Sequence, residues 1–311
     1  MRKTARTTAR TTAVWIIGLI LGAAFSGAAA AAGEERVALS HDGVERSYLI
    51  YAPPAKNGAA RPIVIVLHGG GGNAENAVRM TGFTEKARAE GFIAVYPNGT
   101  GRFRNALFTW NAGHCCSSAM RGDIDDVGFI AAVIDDVASR FGGDPNRVYA
   151  TGMSNGAMMA HRLGRDLSDK IAAIAPVVGG LFGDEKEPPR AVAAIIINGA
   201  LDKSIPEAGG ETGGRFQDAW DGSALAPAEH QGDFWAGANG CAPSPRKETP
   251  TANVILWRYD CPEGGEVLRY MVEDNGHAWP GGEKGGRRGD QPSASLDATD
   301  VIWDFFKTKS R

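Results

Sequence analysis

Five residues, Gly152-Met153-Ser154-Asn155-Gly156, join a stretch of strand character to a stretch of helix character. Residues 147–151 (RVYAT) read as a strand entering them, and residues 157–167 read as a helix leaving them. A serine between two glycines at a strand-to-helix turn is the pattern of a nucleophile elbow. The turn strains the serine backbone, and side chains at positions 152 and 156 would collide with neighbouring backbone. A helix that starts just after the serine also directs positive dipole ends at its oxygen. The pattern alone is common; its setting between a strand and a helix is what makes it specific.

The rest of the sequence repeats the strand-helix alternation. Residues 62–67 (PIVIVL), 92–96 (FIAVY), 171–178 and 192–198 (VAAIIIN) are short continuous apolar runs, as expected of strands buried on both faces. Residues 44–51 (VERSYLIY) alternate, and 254–259 and 267–272 read as two further strands. Helices are expected over 73–90, 126–141, 227–239 and 295–307. In the clearest of these Val127, Ile130, Val133, Ile134, Val137 and Phe141 recur at three- and four-residue steps. Such alternation implies an α/β fold with a mostly parallel central sheet and helices on both faces.

The N-terminus has a different character. Arg2, Lys3, Arg6 and Arg10 precede an apolar stretch at 13–25 and a small-residue run at 26–32. That layout is a secretory signal peptide, which makes 1–32 the signal and 33–311 one catalytic domain. The apolar stretch is shorter than the ~20 residues of a membrane span, so no stable membrane anchor is expected after cleavage. The destination is extracellular or periplasmic. Net charge is −3, and losing the basic leader makes the body more acidic. An acidic body argues against nucleic acid as a partner, which requires a concentrated basic face.

The chain holds 42 glycines in 311 residues, well above the ordinary share of about 7%. Four of them form His68-Gly69-Gly70-Gly71-Gly72, directly after the strand at 62–67. A loop of this type turns a backbone N–H toward a developing oxyanion, at Gly70 or Gly71, and the residue after the nucleophile, Asn155, supplies the second donor. No phosphate-loop spacing is present. An acid and then a histidine are expected further along, each on a loop after a strand. Asp202 fits the first, ahead of Asp184, Asp218, Asp221 and Asp233. His277, in Asp274-Asn275-Gly276-His277-Ala278-Trp279, fits the second. For His41, His68, His114, His161 and His230 structural or solvated roles are expected.

Four cysteines in an oxidising compartment suggest disulfides, with three possible connectivities. Cys241 and Cys261 flank a loop and one strand, a segment that a bridge can close. Cys115 and Cys116 then form a vicinal bridge or remain two thiols. His114 beside them invites a zinc reading, but no metal-ligand spacing supports it, so no metal and no cofactor are expected.

The stretches LHGGGG (67–72), VYPNGTG (95–101), TWNAGHCC (109–116), DIDDVGFI (123–130), VYATGMSNGAMMA (148–160), GALDKSIP (199–206), FWAGANGC (234–241) and DNGHAWPGG (274–282) resemble the secreted polyhydroxybutyrate depolymerase and feruloyl or acetylxylan esterase family (carbohydrate esterase family 1). The resemblance implies the α/β-hydrolase fold and a serine esterase, with Ser154, Asp202 and His277 as the triad. The substrate it implies is a polyester oligomer or a plant cell-wall hydroxycinnamoyl or acetyl ester. It supports the Cys241–Cys261 pairing and places Asp126 in a segment that we read as mainly structural. Trp110, Trp235 and Trp279 are candidates to line an aromatic or sugar-binding cleft. Alternative readings are a serine peptidase or thioesterase of the same fold, or a catalytically silent binding protein on this scaffold.

Overall fold

The computed structural model describes residues 1, 33–103, 106–211 and 219–311. The expected signal peptide lies outside the described residues, as does Asp218. From Glu34 to Arg311 the chain forms one compact unit.

Among the described residues there are twelve strands: β1 (Glu35–His41), β2 (Val44–Tyr51), β3 (Arg61–Leu67), β4 (Ile93–Pro97), β5 (Thr100–Phe103), β6 (Ala106–Thr109), β7 (Gly143–Met153), β8 (Ala173–Val177), β9 (Ala193–Gly199), β10 (Arg246–Thr251), β11 (Val254–Arg258) and β12 (Val267–Val272). The α-helices are α1 (Ala74–Thr81), α2 (Phe83–Glu90), α3 (Ser117–Arg121), α4 (Asp126–Phe141), α5 (Asn155–Asp166), α6 (Ala228–Ala238) and α7 (Ala298–Phe306). Ten strands make one sheet in the order β1-β2-β4-β3-β7-β8-β9-β12-β11-β10. Its six central strands, β4 to β12, run parallel, and the edge pairs are antiparallel.

The two-residue period of the central strands builds two cores. Ile63, Ile65, Val148, Ala150 and Ile196 pack with α4, α5 and α6 on one face. Val64, Val66, Tyr149, Ile195 and Ile197 pack with α1, α2 and α7 on the other. Strands buried on both faces cannot alternate polar and apolar residues, which is why they appear in the sequence as continuous apolar runs.

Three expectations are corrected. The single helix expected over 73–90 is two, broken at Gly82, whose φ of 66° caps α1 in the left-handed conformation. The strand expected at 147–151 is part of the eleven-residue β7. Pro227 precedes α6 as its N-cap rather than lying in its first turn. Strands β1 and β10, helix α3 and the β5-β6 hairpin carry no strong apolar period and were not expected.

Candidate active site

Ser154 sits at the junction of β7 and α5 with φ 59° and ψ −122°. For a residue with a Cβ this backbone is strained, and such strain gathers at functional sites. The neighbouring glycines show why the turn needs them. A Cβ on Gly152 would lie 2.7 Å from the carbonyl oxygens of Gly156 and Leu67, and one on Gly156 would lie 2.6 Å from that of His68.

The glycine loop expected to hold an oxyanion follows β3 and packs against this turn. Ideal Cβ positions on Gly69 and Gly70 fall 3.6 Å from the Cβ atoms of Ser154 and Asn155. The Gly71 N–H donates to the Phe108 carbonyl at 2.8 Å, so it is not free to bind an oxyanion. Among the described residues no such bond engages the N–H of Gly70, the other expected position. His68 anchors the loop from below. Its Nε2 accepts from the Gly99 N–H at 3.0 Å, which leaves Nδ1 to donate to the Gly69 carbonyl at 2.8 Å. Burial pulls this imidazole down to about 4, so it is neutral and structural.

Asp202 follows β9 and His277 follows β12. Their side chains meet, with His277 Nδ1 2.7 Å from Asp202 Oδ2. The other carboxylate oxygen accepts from the N–H groups of Ser204 and Ile205 at 2.8 and 2.9 Å, which fixes its orientation. An Nδ1–H donated to Asp202 leaves Nε2 as the basic nitrogen. Among the described residues no hydrogen bond joins Ser154 Oγ to this imidazole; in unliganded sites such contacts are commonly long and tighten on binding.

Several residues that support the site carry no motif. The buried Asn275 carboxamide donates to the Gly276 and Ala278 carbonyls and accepts from the Ser293 N–H, bracing the histidine turn. The His277 N–H donates to Asp290 at 2.8 Å. The loop carrying Asp290 also receives Arg79 on the carbonyls of Lys284 and Gly285, and Asn76 on that of Gly285. It thus ties α1, just after the oxyanion loop, to the histidine turn. Asp126 is fully buried, as a structural role requires. It pairs with Arg46 at 2.6 Å and accepts the Asn111 N–H at 2.7 Å. Burial pushes its carboxyl up and the Arg46 guanidinium down, and their attraction opposes both shifts without cancelling them.

The three tryptophans are corrected. Trp110, Trp235 and Trp279 are fully buried. Their indole N–H groups are used internally, by the His68 carbonyl, His161 Nδ1 and Thr299 Oγ1. A buried indole with its donor satisfied is a packing element and cannot line an open cleft. The rival acids have other tasks: Asp184 and Asp221 hold His114, and Asp233 accepts the Tyr259 hydroxyl. Cys241 and Cys261 are bridged, and Cys115 and Cys116 are joined as a vicinal pair.

Known proteins share this architecture. The family described as esterase PHB depolymerase matches residues 46–208, more than half of the chain. The chain belongs to that family. It is 31% identical over 268 residues to NocK of Nocardia uniformis subsp. tsuyamanensis, which carries an esterase name, covering 77% of this chain and 72% of that one. It is 29% identical over 234 residues to feruloyl esterase B of Piromyces equi, covering 73% of this chain but only 41% of the fungal protein. An acetyl xylan esterase from Aspergillus awamori superposes with a TM-score of 0.56 at 16% identity, over 78% of this chain and 94% of that one. This esterase accordingly has the α/β-hydrolase fold and is a carboxylic ester hydrolase. Among its described residues no helix is long and apolar enough to cross a membrane.

Proposed function

We propose that the chain is an exported serine esterase in which Ser154, His277 and Asp202 act as a triad. His277 Nε2 takes the Ser154 proton as the serine oxygen attacks the ester carbonyl. The N–H groups of Asn155 and Gly70 hold the oxyanion, a form of stabilisation in which one donor is worth about 2.7–4 kcal/mol. The alcohol leaves with the proton from His277, and the acyl group stays on Ser154. Water, deprotonated by the same imidazole, then releases the acid. Asp202 holds the ring in the required tautomer throughout.

The observation that carries this reading is the 2.7 Å contact of His277 Nδ1 with Asp202, on loops at the same end of the parallel sheet as the strained Ser154. The substrate we assign is an ester of the hydroxyalkanoate, hydroxycinnamoyl or acetyl type. Relatives named as feruloyl esterase and as poly(3-hydroxyalkanoate) depolymerase support that class. Export is supported by the basic, apolar and small-residue order of residues 1–32.

The test is burst release of p-nitrophenol from p-nitrophenyl butyrate by the full-length protein. Ser154→Ala abolishes it; equal rates in the two proteins would overturn the assignment. Methyl ferulate, acetylated xylan and 3-hydroxybutyrate oligomers, compared by kcat/KM, then rank the substrates.

A further inference from the structure

Large apolar side chains are rarely left exposed among the described residues: apart from the first residue they are Val44, Leu107 and Leu201. Val44 lies at the far edge of the sheet, beside the turn between β1 and β2. The other two adjoin the candidate active site from opposite sides.

Leu107 is 55% exposed and lies on β6, part of the two-stranded unit with β5. That unit is fastened to the oxyanion loop through the Gly71 N–H and a bridge between Gly72 and Phe108. The Leu107 side chain comes within 3.9 Å of an ideal Cβ on Gly71. Its φ is 58°, in the left-handed region that favours glycine. A leucine more than half exposed gains little burial to offset the strain, a combination that points to use rather than to packing.

Leu201 is 59% exposed and immediately precedes Asp202. Its N–H donates to the Asn275 carbonyl, which fixes it beside the histidine turn. Leu107 therefore stands by the loop leaving β3 and Leu201 by the loop leaving β9, with Ser154 at the end of β7 between them. Three strand spacings of about 4.8 Å separate β3 from β9, a span of roughly 14 Å.

We propose that Leu107 and Leu201 are specificity-determining residues that grip the apolar arms of an extended aliphatic ester on opposite sides of Ser154. This rests on the esterase reading above and adds to it the substrate class: an ester with aliphatic chain on both the acyl and the alcohol side. An acetyl group is too short to benefit from either leucine. Two exposed side chains that are apolar and carry no hydrogen-bonding group select chain length, not sugar hydroxyls.

Two ester series test this. One is p-nitrophenyl esters from acetate to decanoate; the other is acetate esters of alkanols from ethanol to octanol. Wild type should favour the longer members of both. Leu107→Ser and Leu201→Ser should each reduce kcat/KM for the long members of one series about tenfold, with ethyl acetate, short on both sides, kept within about twofold. Leu107→Gly should lose the same selectivity while its melting temperature holds or rises, because glycine relieves the backbone. Unchanged chain-length profiles in both serine variants would overturn the proposal, as would a Leu107→Gly variant that melts earlier and keeps its selectivity. Loss of all ester hydrolysis in wild type would instead sink the esterase reading itself.

Discussion

The Asn155 carboxamide clasps both backbone groups of Trp110, accepting its N–H at 2.7 Å and donating to its carbonyl at 3.1 Å. The adjoining Asn111 N–H is held by the buried Asp126. The residue assigned to carry an oxyanion donor on its backbone thus has its side chain locked to a segment remote in sequence. Asn155→Ala keeps the backbone N–H but frees its position. Its kcat should fall roughly 10- to 100-fold with KM little changed, since a displaced donor costs less than an absent one. A matched rise in KM with unaltered kcat would contradict the positioning role.

Gly156→Ala should be far more damaging than an ordinary methyl addition. The new Cβ would meet the carbonyl oxygens of Leu67 and His68 at 2.5 and 2.6 Å, and backbone cannot swing aside as a side chain can. Overpacking of this kind costs about 1–3 kcal/mol or more, and the turn that presents Ser154 must open to relieve it. Thermal melting and p-nitrophenyl ester turnover should both drop; a variant of wild-type activity would show that the turn tolerates a side chain.

His114 predicts a pH dependence of stability. It lies between Asp221, 2.7 Å from Nδ1, and Asp184, 3.0 Å from Nε2, with the Ser223 hydroxyl 3.0 Å from Nδ1. Burial lowers its pKa, but the hydrogen bonds and charges of the two carboxylates outweigh that and hold it above the ordinary histidine value of 6.5. A group so raised contributes its full stability below about pH 6.5 and loses it as pH climbs through the elevated value. The difference in melting temperature between wild type and His114→Gln should therefore be largest near pH 6 and shrink toward about pH 9. A gap that widens with alkalinity would reverse the sign.

The Cys241–Cys261 bridge closes a segment with a sequence separation of 20. On the chain-entropy account its removal by paired serine substitution costs about 3 kcal/mol. Urea unfolding should show that loss with little change in kcat, since Cys261 follows β11 where it pairs with the start of β12, opposite the end from which the His277 loop leaves.

Much of this was legible in the chain itself, for a local reason. The elbow, the glycine loop and the loops bearing Asp202 and His277 each lie next to an apolar strand, so neighbouring residues disclose them. Tertiary assignments were not legible. Whether Trp110 faces a cleft or the core depends on where the His68 carbonyl falls, and that is set by strands far apart in sequence. The break at Gly82, the pairing of Arg46 with Asp126 and the exposure of Leu107 are likewise decided by packing, which no spacing pattern encodes.

The loop linking α1 to the histidine turn also has a weak point. Arg287 and Arg288 are exposed on it, between the carbonyls held by Arg79 and the carboxylate that receives His277. It works as a splint between α1 and the His277 turn, and it presents consecutive arginines to any trypsin-like protease. Brief trypsin digestion should nick the chain there and silence turnover while the melting temperature barely moves, since neither core is built on this segment. Wherever such a protease is met, that one exposed loop would set the working lifetime.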